Sequence, residues 1–106
     1  MKRSNMRADI IKSILDLVVL HLLTKEELCG NEIISKLKSK FNIYISPSML
    51  YGTLNKLKEM NLVRLKENGE TIKKKFSITD EGMNYKREKL RHYFTFGEIL
   101  EGWFRT

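Results

Sequence analysis

The sequence predicts a mainly α-helical domain carrying one small β-hairpin, in the order helix, helix, helix, hairpin, helix. Three observations carry that reading. Apolar residues recur at helical spacing in several stretches of the chain. Two alternating runs flank Asn68-Gly69, a dipeptide suited to the positive φ angles of a tight hairpin turn. Ser46-Pro47 marks a sharp helix start, a serine cap followed by proline where its missing N–H costs nothing.

The polar, basic start, 1–8, is expected to fray. From Asp9, Ile11, Leu15, Val18, Val19 and Leu22 follow one helical face, while Ile14, Leu20 and Leu23 fill its flanks. A helix so apolar around its circumference must be buried, and His21 within it reads as a satisfied core histidine. Residues 24–30 read as a loop. Asn31 is the expected cap of a second helix, with Ile33, Ile34, Leu37 and Phe41 inward and Lys36, Lys38 and Lys40 solvated.

The third helix opens at Ser46-Pro47 and runs to about Met60. At about 100° per residue, Leu50, Leu54 and Leu57 share one side, while Ser48, Tyr51, Gly52, Asn55 and Glu59 spread over the other. Solvated helix faces usually carry long charged side chains, so this small, hydrogen-bonding stripe reads as a surface built for close approach. Asn61 ends the helix. In 62–67, Val63 and Leu65 point inward and Arg64 and Lys66 outward. The returning strand, 71–78, places Ile72, Phe76 and Ile78 on one face and Lys73, Lys75 and Ser77 on the other, with Lys74 near the hairpin tip, where its head reaches water. Thr79-Asp80-Glu81 caps a final helix through Met83, Leu90 and Phe94. The tail adds Tyr93, Phe96, Ile99, Leu100, Trp103 and Phe104, an apolar density that calls for a partner.

Length and composition bound the function. The 106 residues, 42% apolar and 31% charged, make one globular domain with no room for a second, catalytic one. Twenty Lys and Arg against 13 Asp and Glu leave +7, which makes a polyanion the first partner to consider. The single Cys29 forms no internal disulfide and points to a reducing, cytoplasmic setting. The apolar stretch 10–23 is interrupted by Lys12, Asp16 and His21 and followed by no cleavage signal, so neither a membrane span nor a signal peptide is expected. His92 has no carboxylate at metal-ligand spacing, Cys29 reads as a small buried hydrophobe, and the scattered glycines form no phosphate loop. No enzyme, metal or cofactor is expected.

Two helices and a turn leading to a third helix with a small polar face make a helix-turn-helix, and a basic hairpin directly after it makes a winged one. The charge map agrees. Residues 1–13 and 61–79 each carry +3 and 46–60 carries +1, whereas 80–106 is neutral. Ser48 and Asn55 are the candidates for base-edge or nearby phosphate hydrogen bonds, Tyr51 for a phosphate, and Gly52 for close backbone approach. Ser46 at the helix start and Lys56, with Lys73, Lys74 and Lys75 of the wing, complete the candidate interface with double-stranded DNA. Tyr51 as a half-buried core aromatic, and the three lysines as a guard on an exposed strand edge, are the bland alternatives.

The ordered set 14–20, Gly30-Asn31-Glu32-Ile33-Ile34, Ser46-Pro47-Ser48-Met49-Leu50-Tyr51, Leu57 through Leu62-Val63, and Phe76-Ser77-Ile78-Thr79-Asp80-Glu81-Gly82 resembles the PadR family of transcriptional regulators over about residues 10–90. The resemblance implies a homodimeric winged-helix repressor whose third helix and wing bind a pseudo-palindromic operator. The DNA-binding region would be 1–79, and 80–106 the dimerisation helix and tail, pairing with the first helix. By position, Ser46, Ser48 and Tyr51 match the family's signature, and Lys74 and Lys75 the start of its second wing strand. Gly52 stands where a proline often follows the tyrosine, Asn31 where an aromatic is common, and Cys29 where a histidine is frequent. Leu90, Phe94, Phe96, Leu100, Trp103 and Phe104 become the dimerisation residues. Some compact relatives bind a small, flat aromatic effector at the dimer centre, and Trp103 either lines such a cavity or, more simply, fills the dimer core. A winged-helix module that binds another protein is the competing reading.

Overall fold

The computed structural model describes residues 6–67 and 74–105. Its elements are α1 (Met6–Ser13), α2 (Leu15–Lys25), α3 (Gly30–Phe41), α4 (Pro47–Glu59), β1 (Val63–Glu67), β2 (Lys74–Ile78) and α5 (Asp80–Phe104). The strands pair antiparallel, from Val63 opposite Ile78 to Glu67 opposite Lys74. The expected Asn68-Gly69 turn, with Ile72 and Lys73, lies outside the described residues. The class is that expected, a mainly α winged helix-turn-helix with a C-terminal helix, with one more helix ahead of the hairpin than the sequence predicts.

One core lies where α2, α3, α4 and the hairpin converge. Val19, Leu20, Ile33, Leu37, Ile45, Leu50 and Leu54 are fully buried there, and Leu28, Val63 and Phe76 close it on the strand side. Burying each such side chain contributes roughly 1.5–3 kcal/mol. The leucine stripe of α4 is thus anchored, and the opposite stripe faces out.

Several expectations change. The first helix is two, because Ile14 (φ −116°, ψ 26°) breaks it, although its N–H still bonds to the carbonyls of Ile10 and Ile11. His21 is exposed rather than in the core, because α2 buries Leu20, Leu22 and Leu23 and leaves that side open. The cap of α3 is Cys29, not Asn31: Glu32 reaches back to the Cys29 N–H at 3.1 Å, completing a capping box. Within the expected loop, Leu28 exchanges two backbone hydrogen bonds with Phe76, of 3.1 and 2.8 Å, and so adds a one-residue third strand to the hairpin.

The last helix is longer than expected. Thr79 caps it, its hydroxyl accepting from the Gly82 N–H at 2.9 Å and donating to the Asn61 carbonyl at 2.7 Å. A Cβ on Gly82 would overlap the Leu62 carbonyl oxygen, so only glycine lets α5 start this close to β1. Asp16 of α2 and Lys89 of α5 form a partly buried ion pair at 2.5 Å. Burial alone would push the Lys89 ammonium down, but its bonds to Asp16 and to the Tyr85 hydroxyl prevail and hold it above the ordinary lysine value. Beyond this clamp, α5 runs through Gly97 and Gly102 to Phe104, and the molecule measures 60 Å along its longest axis.

Candidate nucleic-acid interface

α4 is positioned from both ends. Ser46 Oγ accepts the Met49 N–H at 3.2 Å, with Pro47 in the first turn, as the sequence predicts. Asn61, at φ 62°, takes the left-handed conformation just past the helix end, and Asn42 at φ 53° does the same for α3. Between these stops the helix shows its two sides. Leu50, Leu54 and Leu57 are buried, while Ser48, Tyr51, Gly52, Asn55 and Lys56 are exposed. Ser46 is exposed too, but its oxygen serves the cap.

Among the described residues, the side chains of Ser48, Asn55 and Lys56 make no hydrogen bond or ion pair, so their polar groups are available to a partner. A Cβ on Gly52 would meet nothing within 4 Å, so the backbone there is open to close approach.

Tyr51 does two things. It is 42% exposed, yet its phenol leans on the start of α3: a Cβ on Gly30 would lie 2.7 Å from Tyr51 Cζ and overlap the hydroxyl. Gly30 therefore leaves room for the Tyr51 phenol against the start of α3. Sequence reading missed that role, although a glycine opening a helix beside a cysteine was its available signal.

The hairpin stands beside this edge. Tyr51 lines a groove of about 410 Å³ together with Asn31 and Glu32 of α3 and Lys74 and Phe76 of β2. Lys74 is exposed and Lys75 partly so. Lys66 is engaged with Glu27 at 3.0 Å. Lys73 lies outside the described residues. The structure thus brings Tyr51 and Lys74 to one groove, with Ser48, Gly52, Asn55 and Lys56 along the same helix.

The dimerisation candidates form a separate surface. Phe94, Phe96, Trp103 and Phe104 are between 58% and 79% exposed, Leu90 is exposed, and Leu100 is partly covered. At about 100° per residue they occupy one half of the α5 circumference. Among the described residues no three acidic, histidine or cysteine side chains gather to hold a metal ion, and no helix is long and apolar enough to cross a membrane.

Comparison with known proteins decides the family. The model of the "Transcriptional regulator PadR-like family" matches residues 19–88, a span that includes the whole helix-turn-helix and hairpin. The chain belongs to the PadR-like family of transcriptional regulators. Solved PadR-like structures share the fold. A transcriptional regulator from Clostridium thermocellum is 23% identical, with a TM-score of 0.79 over 88% of this chain and 92% of that one. A PadR family regulator from Eggerthella lenta is 22% identical, with a TM-score of 0.78 over 92% and 88%. Bacillus subtilis PadR, solved in complex with operator DNA, is 29% identical, with a TM-score of 0.62 over 73% of this chain and 46% of that one. No curated protein sequence matches. The winged helix of this chain carries the open α4 edge and the lysine-bearing hairpin described above.

Proposed function

We propose that this PadR-like regulator works as a homodimeric repressor in the cytoplasm, reading a pseudo-palindromic operator with α4 and the basic wing. The observation that carries the reading is the two-sidedness of α4, its leucines buried and its hydroxyl- and amide-bearing edge open beside a lysine-bearing ribbon. Ser48 and Asn55 reach base edges or the phosphates flanking them, and Gly52 admits the groove wall. Tyr51, Lys56, Lys74 and Lys75, with Lys73 at the wing, meet phosphates. Ser46 shapes the helix start and offers its hydroxyl proton. Residues 1–79 form the DNA-binding region and 80–106 the dimerisation helix, which pairs through Leu90, Phe94, Phe96, Leu100, Trp103 and Phe104. A flat aromatic effector, where one acts, would share the Trp103 end of that face.

Two reading heads related by a twofold axis place half-sites about one helical turn, ~34 Å, apart. Footprinting of genomic DNA with the purified protein tests this. The expected result is discrete protected sites with paired halves. Asn55→Ala should change the preference among such sites. The absence of any protected site, with low-salt elution from heparin, would favour the protein-binding module instead.

A further inference from the structure

A cleft of about 400 Å³ lies between α2 and α3, in the range of sites that hold small molecules. No residue of α4 or of the hairpin lines it, so the DNA reading makes no use of it. Its walls are apolar, built by Val18 and Leu22 of α2 and Phe41 at the end of α3, and its rim carries His21, Lys25 and Lys40. Lys36 also borders it but is paired with Glu26 at 2.9 Å, and Glu26 is the one acid in the lining. Among the described residues no acid pairs with Lys25 or Lys40.

His21 registers the charge gathered there. The Lys86 ammonium of α5 lies 3.2 Å from Nδ1. An ammonium can only donate, so Nδ1 accepts and the neutral ring keeps its proton on Nε2. Partial burial, then Lys86, Lys25 and Lys40, hold the imidazole below the usual histidine range. Lysines of α2 and α3 thus border one mouth whose only acid, among the described residues, is already engaged, and Lys86 of α5 adds its charge beside His21 on the rim.

We infer that this cleft binds an amphipathic carboxylate, its apolar body on Val18, Leu22 and Phe41 and its head between Lys25 and Lys40. A small inorganic anion would leave the walls wet, and a neutral amphiphile would leave both ammonium groups unanswered. The lining residues come from α2, the turn after it and α3 of a single chain, and α5 touches the rim through Lys86.

Titration of the full chain with decanoate, kept below its micelle threshold and followed by calorimetry and NMR, tests the inference. Saturable binding at one molecule per chain is expected, with resonance changes centred on Val18, His21 and Phe41. The bound carboxylate favours the imidazolium, so the His21 pKa should rise on saturation. Lys25→Gln and Lys40→Gln should each weaken binding roughly three- to fivefold, with melting temperatures unchanged because neither ammonium is paired. Decanol binding as tightly as decanoate would overturn the inference, as would changes centred on Phe94 and Trp103, or a signal that appears only with micelles.

Discussion

Gly52→Ala separates the stability of α4 from its proposed use in reading DNA. Gly52 sits in the middle of α4, and a Cβ there meets no atom of the protein within 4 Å. Alanine therefore brings its helix propensity without a steric cost, a gain of about 1 kcal/mol, which should raise the melting temperature by roughly 4 °C or more. The same methyl stands on the open edge of α4. Where a duplex approaches the backbone closely, it acts as overpacking at about 1–3 kcal/mol, or roughly 5- to 150-fold in Kd. Circular dichroism melts and fluorescence anisotropy with a footprinted duplex read the two effects. A variant that melts higher yet binds that duplex with wild-type affinity would refute the close approach. One that melts lower would refute the open space on which the argument rests.

Gly82→Ala has the same propensity gain but opposite surroundings: its Cβ overlaps the Leu62 carbonyl oxygen and lies 2.8 Å from Ile78 Cγ1, so a net loss of about 1–2 kcal/mol is expected in denaturant titrations. Phe94→Asp combined with Leu100→Asp, on the exposed face of α5, should leave the melting of the core intact and shift the protein to monomer by light scattering at micromolar concentration. The lowered His21 pKa means that the unfolded chain binds more protons as pH falls below 6.5. Stability should therefore hold above that pH and decline below it, until the folded ring also titrates, and His21→Gln should flatten the decline.

Much of the site was legible because its signals are local. Ser46-Pro47 states where α4 begins in terms of one capping oxygen and one missing N–H, and the leucine spacing states which side is buried; neither depends on the rest of the chain. The same held for Thr79 and α5. What escaped depends on tertiary context. Nothing in 9–23 announces the break at Ile14, since neither glycine nor proline marks it. His21 sits among residues whose apolarity implied burial on every side, but the neighbouring elements cover only part of α2. Asn31 has the better capping side chain, yet Glu32 stands three residues after Cys29, so the reciprocal bond selects Cys29. Leu28 looked like an isolated loop residue because its partner, Phe76, is far along the chain. The contact between Tyr51 and Gly30 was hidden for the same reason, and it joins α4 to α3.

The most direct test of a winged helix that grips DNA by charge and reads it along α4 is the affinity for a footprinted palindromic duplex across a series of salt concentrations. For the wild type, log K should fall linearly with log salt and the scrambled duplex should bind more weakly throughout. With Lys73, Lys74 and Lys75 changed to Ala, the slope should become shallower by up to about 0.9 for each lysine that meets a phosphate, and both duplexes should weaken alike. A wild-type affinity indifferent to salt, or equal for the palindrome and its scramble, would contradict the account.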